Sequence, residues 1–334
     1  MTLPDVSIII PCLNEERTIQ TLLESILGQT YPVDNLEVII ADGMSVDQTR
    51  QIIARFQRDH PELRIQVCDN PMRKIPTGLN IAIRAAKGVI LTRMDAHAIP
   101  ALDYIERSIT ALKAGLGDNV GGVIDVKPGA DTWIARGISI ATAHPLGVGD
   151  AKYRWTKTAG EADTVAFGTY YKSKVEEIGY YNEALKVNED YEFNSRLRQF
   201  GGKIWIDPLI RAIYYSRPTL KTLSKQYFTY GFWKLRMLRL YPETLRWRQA
   251  LPPLFVFSIL MLLLLSVFST MARILLLLVL CAYLIILIAA ASRIVLQKSD
   301  AAFILGVPLA IMTMHFSWGS GFWWSLLNPE SEGT

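Results

Sequence analysis

Four short clusters in this 334-residue chain carry side chains able to do chemistry: Asn14-Glu15-Glu16, the stretch from Asp42 to Asp47, Asp95-Ala96-His97, and Asn188-Glu189-Asp190. Carboxylates in such groups can accept hydrogen bonds from a ligand, supply the oxygen ligands of a hard divalent cation, or take a proton from a reacting hydroxyl. Each cluster also has a plainer reading. Asn14 and Asp47 suit helix N-caps, Gly43 suits a turn, and Glu189 and Asp190 suit the positive end of a helix. What separates the readings is whether the surrounding elements bring the clusters together.

The first hundred residues alternate between two patterns. Residues 6–10 are an apolar β-branched run closed by Pro11, and residues 18–27 have helical periodicity that stops near Pro32. Residues 36–41, 63–68 and 89–94 read as further strands, with helices over 47–58 and 74–86 between them. Strands alternating with helices of about 10–15 residues predict an α/β fold, a mostly parallel sheet with helices on both faces. Ligands of such sheets bind outside the carboxyl ends of the strands. The first strand runs into Asn14, the second into Asp42 and the fourth into Asp95, so three clusters fall on one edge of one sheet. The fourth cluster opens a helix over 191–200.

The chain has 35 Lys+Arg against 31 Asp+Glu, with 50% hydrophobic and 20% charged residues. That composition excludes a disordered chain, since enough apolar surface exists to offset the entropy of ordering. The net +4 is local: residues 217–248 hold eight Lys/Arg and one Glu, whereas residues 251–334 balance to zero. The charge therefore gives no reason to expect nucleic acid as a partner. Three scattered cysteines, Cys12, Cys68 and Cys281, exclude a disulfide framework or a cysteine metal cluster.

Residues 251–270 and 274–292 are uncharged runs, each long enough to cross a hydrocarbon core of roughly 30 Å. The run 301–319 is weaker, because it contains Gly306, Pro308 and His315; it either spans or lies as an interfacial or re-entrant segment. Phe322, Trp323 and Trp324 follow it, as in an aromatic belt. Basic residues crowd the approach to the first run and the loop after the second, while the hairpin between them holds only Arg273. The positive-inside rule then places residues 1–250 in the cytoplasm of a bacterial-type inner (plasma) membrane protein, and the first ten residues lack the basic start of a signal peptide. Three spans would put the C-terminus outside. The basic band interleaves with aromatic residues and reads as amphipathic helices on membrane lipids; a packed helix with a solvated basic face is the alternative. The expected division is 1–216 cytosolic, 217–250 interfacial and 251–327 membrane, with about three transmembrane helices.

The run Ser7-Ile-Ile-Ile-Pro-Cys-Leu-Asn-Glu-Glu, then Ala41-Asp-Gly-Met-Ser-Val-Asp-Gln-Thr, Lys74 to Asn80, Arg93-Met-Asp-Ala-His, Phe167-Gly-Thr-Tyr-Tyr and Asn188-Glu-Asp-Tyr-Glu-Phe-Asn-Ser-Arg-Leu resemble in order and spacing the family 2 glycosyltransferases of GT-A fold. The branch most resembled is the succinoglycan-type exopolysaccharide glucosyltransferases. The resemblance implies an inverting transferase that takes a nucleotide sugar, a UDP-hexose, and a lipid-linked saccharide acceptor. It assigns Asp42 to the base, Asn14 and Glu15 to the ribose, and the main chain around Pro11 to closing over the base. Lys74 would face the diphosphate and Gly168 would leave room for the donor sugar. Where the family usually has Asp-x-Asp, this chain has Asp95 and His97 as ligands for Mn²⁺ or Mg²⁺; both cations favour oxygen, and Mn²⁺ also accepts imidazole. Asp190 is implied as the base, with Glu189 positioning it. The Gln-x-x-Arg-Trp motif of processive members is absent after Gln226, which implies addition of single sugars. A polyprenyl-phosphate glycosyltransferase and a catalytically inactive membrane-anchored scaffold are the rival readings.

Overall fold

In the computed structural model, which describes residues 4–328, the alternation becomes β1 (Val6–Cys12), α1 (Ile19–Leu27), β2 (Leu36–Asp42), α2 (Thr49–Asp59), β3 (Arg64–Asp69), α3 (Ile75–Ala85) and β4 (Ile90–Arg93). β1 pairs parallel with β2 and β4, and β2 pairs parallel with β3. Every residue of β2 is buried, and β1 is buried except at Pro11, as strands covered on both faces require.

The chain continues through β5 (Ala98–Pro100), α4 (Tyr104–Lys113), β6 (Asn119–Lys127), α5 (Trp133–Ala141), α6 (Pro145–Val148), β7 (Gly160–Glu161), β8 (Ala166–Tyr171), α7 (Lys172–Ile178), α8 (Glu189–Gln199) and β9 (Ile204–Tyr215). The strand order is β3-β2-β1-β4-β8-β6-β9-β5, with β7 also on β9. β8 runs antiparallel to β4 and β6, and β5 and β7 run antiparallel to β9. The parallel half read from the sequence thus passes into an antiparallel half, giving one mixed sheet. That second half brings α8 back towards the end of β4.

Four helices complete the chain: α9 (Leu220–Leu240), α10 (Trp247–Ser266), α11 (Thr270–Lys298) and α12 (Phe303–Leu327). The fold consists of two units. The first holds the chain up to Asp125 together with Ala151–Tyr214, and the second holds Val126–Asp150 with the chain from Tyr215 onward. The boundary at 214/215 lies close to the expected 216. Residues 126–150 depart from the expected division, because Ile138 and Ala141 of α5 are buried with Val307, Ala310 and Ile311 of α12.

Within the second unit, α10, α11 and α12 are long and apolar enough to cross a membrane. α10 and α11 expose Leu260, Leu264, Leu277 and Ile285 on their outer faces. Pro253 removes the amide that would otherwise reach the Gln249 carbonyl, and the Trp318 indole donates to that carbonyl instead, at 3.2 Å. The aromatic residues 322–324 follow the run 301–319 within α12 itself. The basic band is also less uniform than its sequence suggests: α9 is a single helix with Phe232, Trp233 and Lys234 buried. Lys234 is turned inward, its Nζ donating to the Thr244 carbonyl at 2.9 Å.

Glu37 is a charged group fixed inside the parallel half of the first unit. Glu37 of β2 is buried; its Oε1 accepts from Ser7 Oγ at 2.5 Å and from the Lys87 and Gly88 amides at 2.6 and 3.2 Å. Removing the carboxylate leaves the Ser7 hydroxyl and the Lys87 amide without this acceptor, whereas the Gly88 amide still donates to Ser7 Oγ at 2.9 Å; each lost acceptor costs about 1–3 kcal/mol. Glu37→Ala should therefore destabilise the protein by about 2 kcal/mol or more. A matched denaturant titration of the two proteins in detergent checks it, and an unchanged midpoint would contradict it.

Candidate active site

The loop after β1 and the loop after β2 are stitched to each other. Asn14 has a left-handed backbone (φ 55°); its amide donates to Ser45 Oγ at 2.8 Å and its Oδ1 accepts from the Val46 amide at 2.9 Å. The Glu15 amide donates to Thr49 Oγ1 at 2.8 Å, and the Glu16 and Gln48 amides exchange bonds with Asp47 and Glu16 carboxylates. Asn14 is not the N-cap of α1, which starts after Thr18; Asp47 stands one residue before Gln48, the N-cap of α2, and its Oδ1 accepts from the amide of Thr49, the first helical residue, at 3.0 Å. Asp42 is fully buried and accepts from the Ser45 amide (3.0 Å), Ser45 Oγ (2.5 Å) and Arg50 Nε (2.5 Å). A carboxylate has about four acceptor positions, so Asp42 keeps capacity for one further donor. Beside it Cys12 is a buried thiol whose pKa burial pushes up, in keeping with an unreactive residue.

The centre of the site is Arg93, the last residue of β4. It is 7% exposed, and its Nη2 donates to Glu189 Oε1 at 2.8 Å and to Asp95 Oδ1 at 3.3 Å. The guanidinium carbon stands 6.0 Å from the centre of the Tyr181 ring. Burial alone would lower the Arg93 pKa, but Asp95 and Glu189 hold it raised. The helix α8 begins two residues before the expected 191, so Glu189 and Asp190 occupy its first turn. Glu189 is buried, whereas Asp190 is half-buried with Oδ1 accepting from the Tyr191 amide at 2.7 Å.

Beyond β4 the chain makes a turn closed by the Ala98 amide on the Asp95 carbonyl at 3.0 Å, so Asp95 and His97 are not successive positions of one strand face. His97 Nδ1 lies 3.0 Å from Glu15 Oε1, and its ring lies 5.6 Å from that of Tyr214. Glu15 Oε2 also accepts from Thr18 Oγ1 at 2.6 Å, which leaves Glu15 committed to His97 and its own helix start. The loops bearing Asn14, Glu15, Asp42 and His97 thus form one connected group, and Asp95, Glu189 and Asp190 form another around Arg93. Pro11 lies within β1, opposite Ala41.

Lys74 and Gly168 stand elsewhere. Lys74 Nζ donates to the Glu183 carbonyl at 3.3 Å. That loop is further latched by Asn80, whose Nδ2 donates to Glu183 Oε1 and the Tyr181 carbonyl at 2.7 and 2.9 Å. At Gly168 a Cβ would overlap the Asn119 amide, so the room left by this glycine is taken by Asn119. Sequence reasoning gave Arg93 and Asn80 no role. The available signal was a lone charged residue ending a buried apolar strand.

Burial, opposed by Arg93 and reinforced by Asp190, pushes the Glu189 carboxyl up to about 7 from an ordinary 4.5. A carboxyl whose folded pKa is raised binds its proton more tightly in the folded state. Its contribution is fully present below about 4.5 and is lost as pH rises to about 7. In Glu189→Gln that loss disappears, so the wild type should lose stability relative to the variant across this interval and hold level above it. Denaturant titrations of both proteins at several pH values check the sign.

The sequence from residue 7 to 179 matches the family model described as glycosyl transferase family 2. The succinoglycan biosynthesis protein ExoA of Rhizobium meliloti (strain 1021) is 31% identical over 326 residues, covering 96% of this chain and 94% of that protein. The dolichyl N-acetyl-alpha-D-glucosaminyl phosphate 3-beta-D-2,3-diacetamido-2,3-dideoxy-beta-D-glucuronosyltransferase of Methanococcus voltae is 31% identical over 241 residues, 70% of this chain and 74% of that protein. Among solved structures, the mannosyltransferase PcManGT of Pyrobaculum calidifontis, in complex with GDP-Man and Mn²⁺, matches with a TM-score of 0.67 at 19% identity over 99% of this chain and 89% of that one. The last likeness concerns the fold, and the first three concern ancestry. This chain belongs to glycosyl transferase family 2 and is a glycosyltransferase of GT-A fold.

Proposed function

We propose that the enzyme is inverting and metal-dependent and adds one hexose, glucose from UDP-glucose, to a saccharide carried on polyprenyl diphosphate during exopolysaccharide synthesis. The reaction would take place at the cytoplasmic face of the plasma membrane. The observation that carries this reading is the Arg93 bridge: one guanidinium holds Asp95 and Glu189, and hence the neighbouring Asp190, at a single point of the sheet edge.

In this reading Asp42 accepts a hydrogen bond from the uracil N3–H, and Asn14 orders the loop that closes over the base. Asp95 and His97 would hold Mn²⁺ or Mg²⁺, which neutralises charge on the departing diphosphate. Mg²⁺ and Mn²⁺ bound with substrate phosphates need few protein ligands, and Asp95 and His97, on either end of one turn, would supply a carboxylate and an imidazole. The Mn²⁺ in the PcManGT complex supports a divalent cation without choosing between the two. Glu15, bonded to Nδ1 of His97, fixes which ring nitrogen carries the proton. Asp190 takes the proton of the acceptor hydroxyl as it attacks the anomeric carbon. One base with no second carboxylate acting as nucleophile makes a single displacement, which inverts that carbon.

Addition of single sugars is supported by Gln226, whose amide bonds Tyr230 within α9 at 2.9 Å rather than opening a Gln-x-x-Arg-Trp motif. The name of the Methanococcus voltae relative describes transfer to a sugar already on dolichyl phosphate, which supports a saccharide acceptor over a bare lipid phosphate. Incubating membranes with radiolabelled nucleotide sugars and extracting the lipid product tests this. Release of the label by very mild acid would favour the polyprenyl-phosphate reading, and absence of turnover with every donor would favour an inactive scaffold.

Two substitutions separate the roles. Asp95→Asn should abolish transfer and weaken UDP binding only when Mn²⁺ or Mg²⁺ is present; equal weakening without metal would refute the ligand role. Asp190→Asn keeps shape but removes the base, so donor affinity measured by calorimetry should survive while turnover falls by about 10²–10⁴-fold. Near-normal turnover would move the role to another residue.

A further inference from the structure

We propose that α12 does not cross the membrane. It lies along the membrane–water boundary with its exposed apolar stripe against acyl chains, so the chain has two spans and its C-terminal end stands on the same side as the catalytic unit.

Chain connectivity fixes the side of three elements. α5 and α6 lie in residues 126–150, which leave the first unit after Asp125 and return to it at Ala151, and neither is long enough to span. α9 follows directly on Tyr215 and precedes α10. All three are therefore on the catalytic side of any membrane that α10 enters.

These three elements cover α12 along most of its length. Near its start, a Cβ at Gly137 of α5 would stand 2.5 Å from the Gly306 carbonyl carbon, so the two helix backbones touch. At its middle, His315 Nε2 lies 2.9 Å from the Leu146 carbonyl of α6. Further on, Ser317 Oγ lies 2.9 Å from Ser224 Oγ of α9, and Cβ atoms at Gly231 and Gly321 would overlap the Trp318 and Phe228 carbonyls. From 306 to 321 the helix advances about 22 Å at 1.5 Å per residue. A spanning helix would by then be deep in a hydrocarbon core of about 30 Å, yet its partner there is α9, with the exposed Lys225 next to Ser224.

The hairpin of α10 and α11 gives the same answer. Its far tip is the turn between Ser266 and Thr270, where Arg273 Nε bonds the Ser266 carbonyl. The hydrogen bonds and ring contacts of α12 with the hairpin stop short of that tip, reaching no further than Phe257 of α10, against Trp323, and Tyr283 of α11, against His315. Trp318 bonds the Gln249 carbonyl, Trp323 bonds the Pro253 carbonyl at 2.9 Å, and Phe316 packs on Phe255. Pro253 is about 20 Å short of the end of α10 by the same rise per residue. The last turns of α12 therefore sit beside the first half of α10, from Pro252 to Phe257, and not beside the tip. Leu305, Leu309, Trp324 and Leu327, exposed on α12, supply the face for lipid.

The test uses the full chain with a protease-sensitive tag fused after Thr334, in right-side-out and inside-out membrane vesicles. Glu24→Cys marks the catalytic unit and Phe268→Cys marks the hairpin tip, each labelled with an impermeant maleimide above the background of the three native cysteines. The tag should be cut in the vesicles that label Glu24→Cys and protected in those that label Phe268→Cys. Cutting on the side of Phe268→Cys, or equally in both preparations, overturns the proposal.

Discussion

A guanidinium shut away from water is tolerated only when carboxylates are held against it, because an unpaired buried charge costs several kcal/mol. Arg93 meets that demand with two carboxylates from distant parts of the chain, one just past its own strand and one at the start of α8. The end of β4 and the first turn of α8 must therefore arrive at one place. The antiparallel half of the sheet does this: β8 lies against β4, and the aromatic stack of Tyr170, Phe193 and Tyr181 packs α8 and its approach under it. The acid that would serve the metal and the acid that would serve the acceptor are thus set by one electrostatic requirement.

At the loops after β1 and β2 the constraint is different in kind. The loops after β1 and β2 exchange backbone amides for side-chain oxygens through Asn14, Ser45, Asp47 and Thr49. Neither loop has regular structure to satisfy its own amides, so each satisfies those of the other. The two behave as a single ordered lip, and the salt bridges from Arg50 to Asp42 and Asp69 anchor it to the ends of β2 and β3.

The parallel half of the sheet was legible because β1 and β2 are covered on both faces and read as near-continuous apolar runs, as in residues 38–41. The clusters at strand ends were legible for the same reason, since the strand boundaries located them. β6 and β8 were not read, as Asn119-Val-Gly-Gly and Phe167-Gly-Thr carry glycines and a bulge that break alternation. The turn at 95–97 was read as a strand end because nothing local distinguishes the two. Arg93 drew no attention because its nearer hydrogen-bond partner in space, Glu189, lies 96 residues away, and pairing over that distance leaves no local pattern. Lys234 looked like part of a basic band facing membrane lipids for a similar reason: its partner, the Thr244 carbonyl, lies past the helix that carries it.

The chain passes between its two units three times, after Asp125, after Asp150 and after Tyr214. The transferase unit is therefore not an N-terminal piece that can be released by a single cut. A shortened protein ending near residue 216 would retain α5 and α6 but lose α12, against which Ile138 and Ala141 are buried. It would carry an uncovered apolar face into water, and faces of that kind drive association. A water-soluble form of this enzyme requires a deletion in the middle as well as at the end, joining β6 to β7 by a short polar linker in place of α5 and α6.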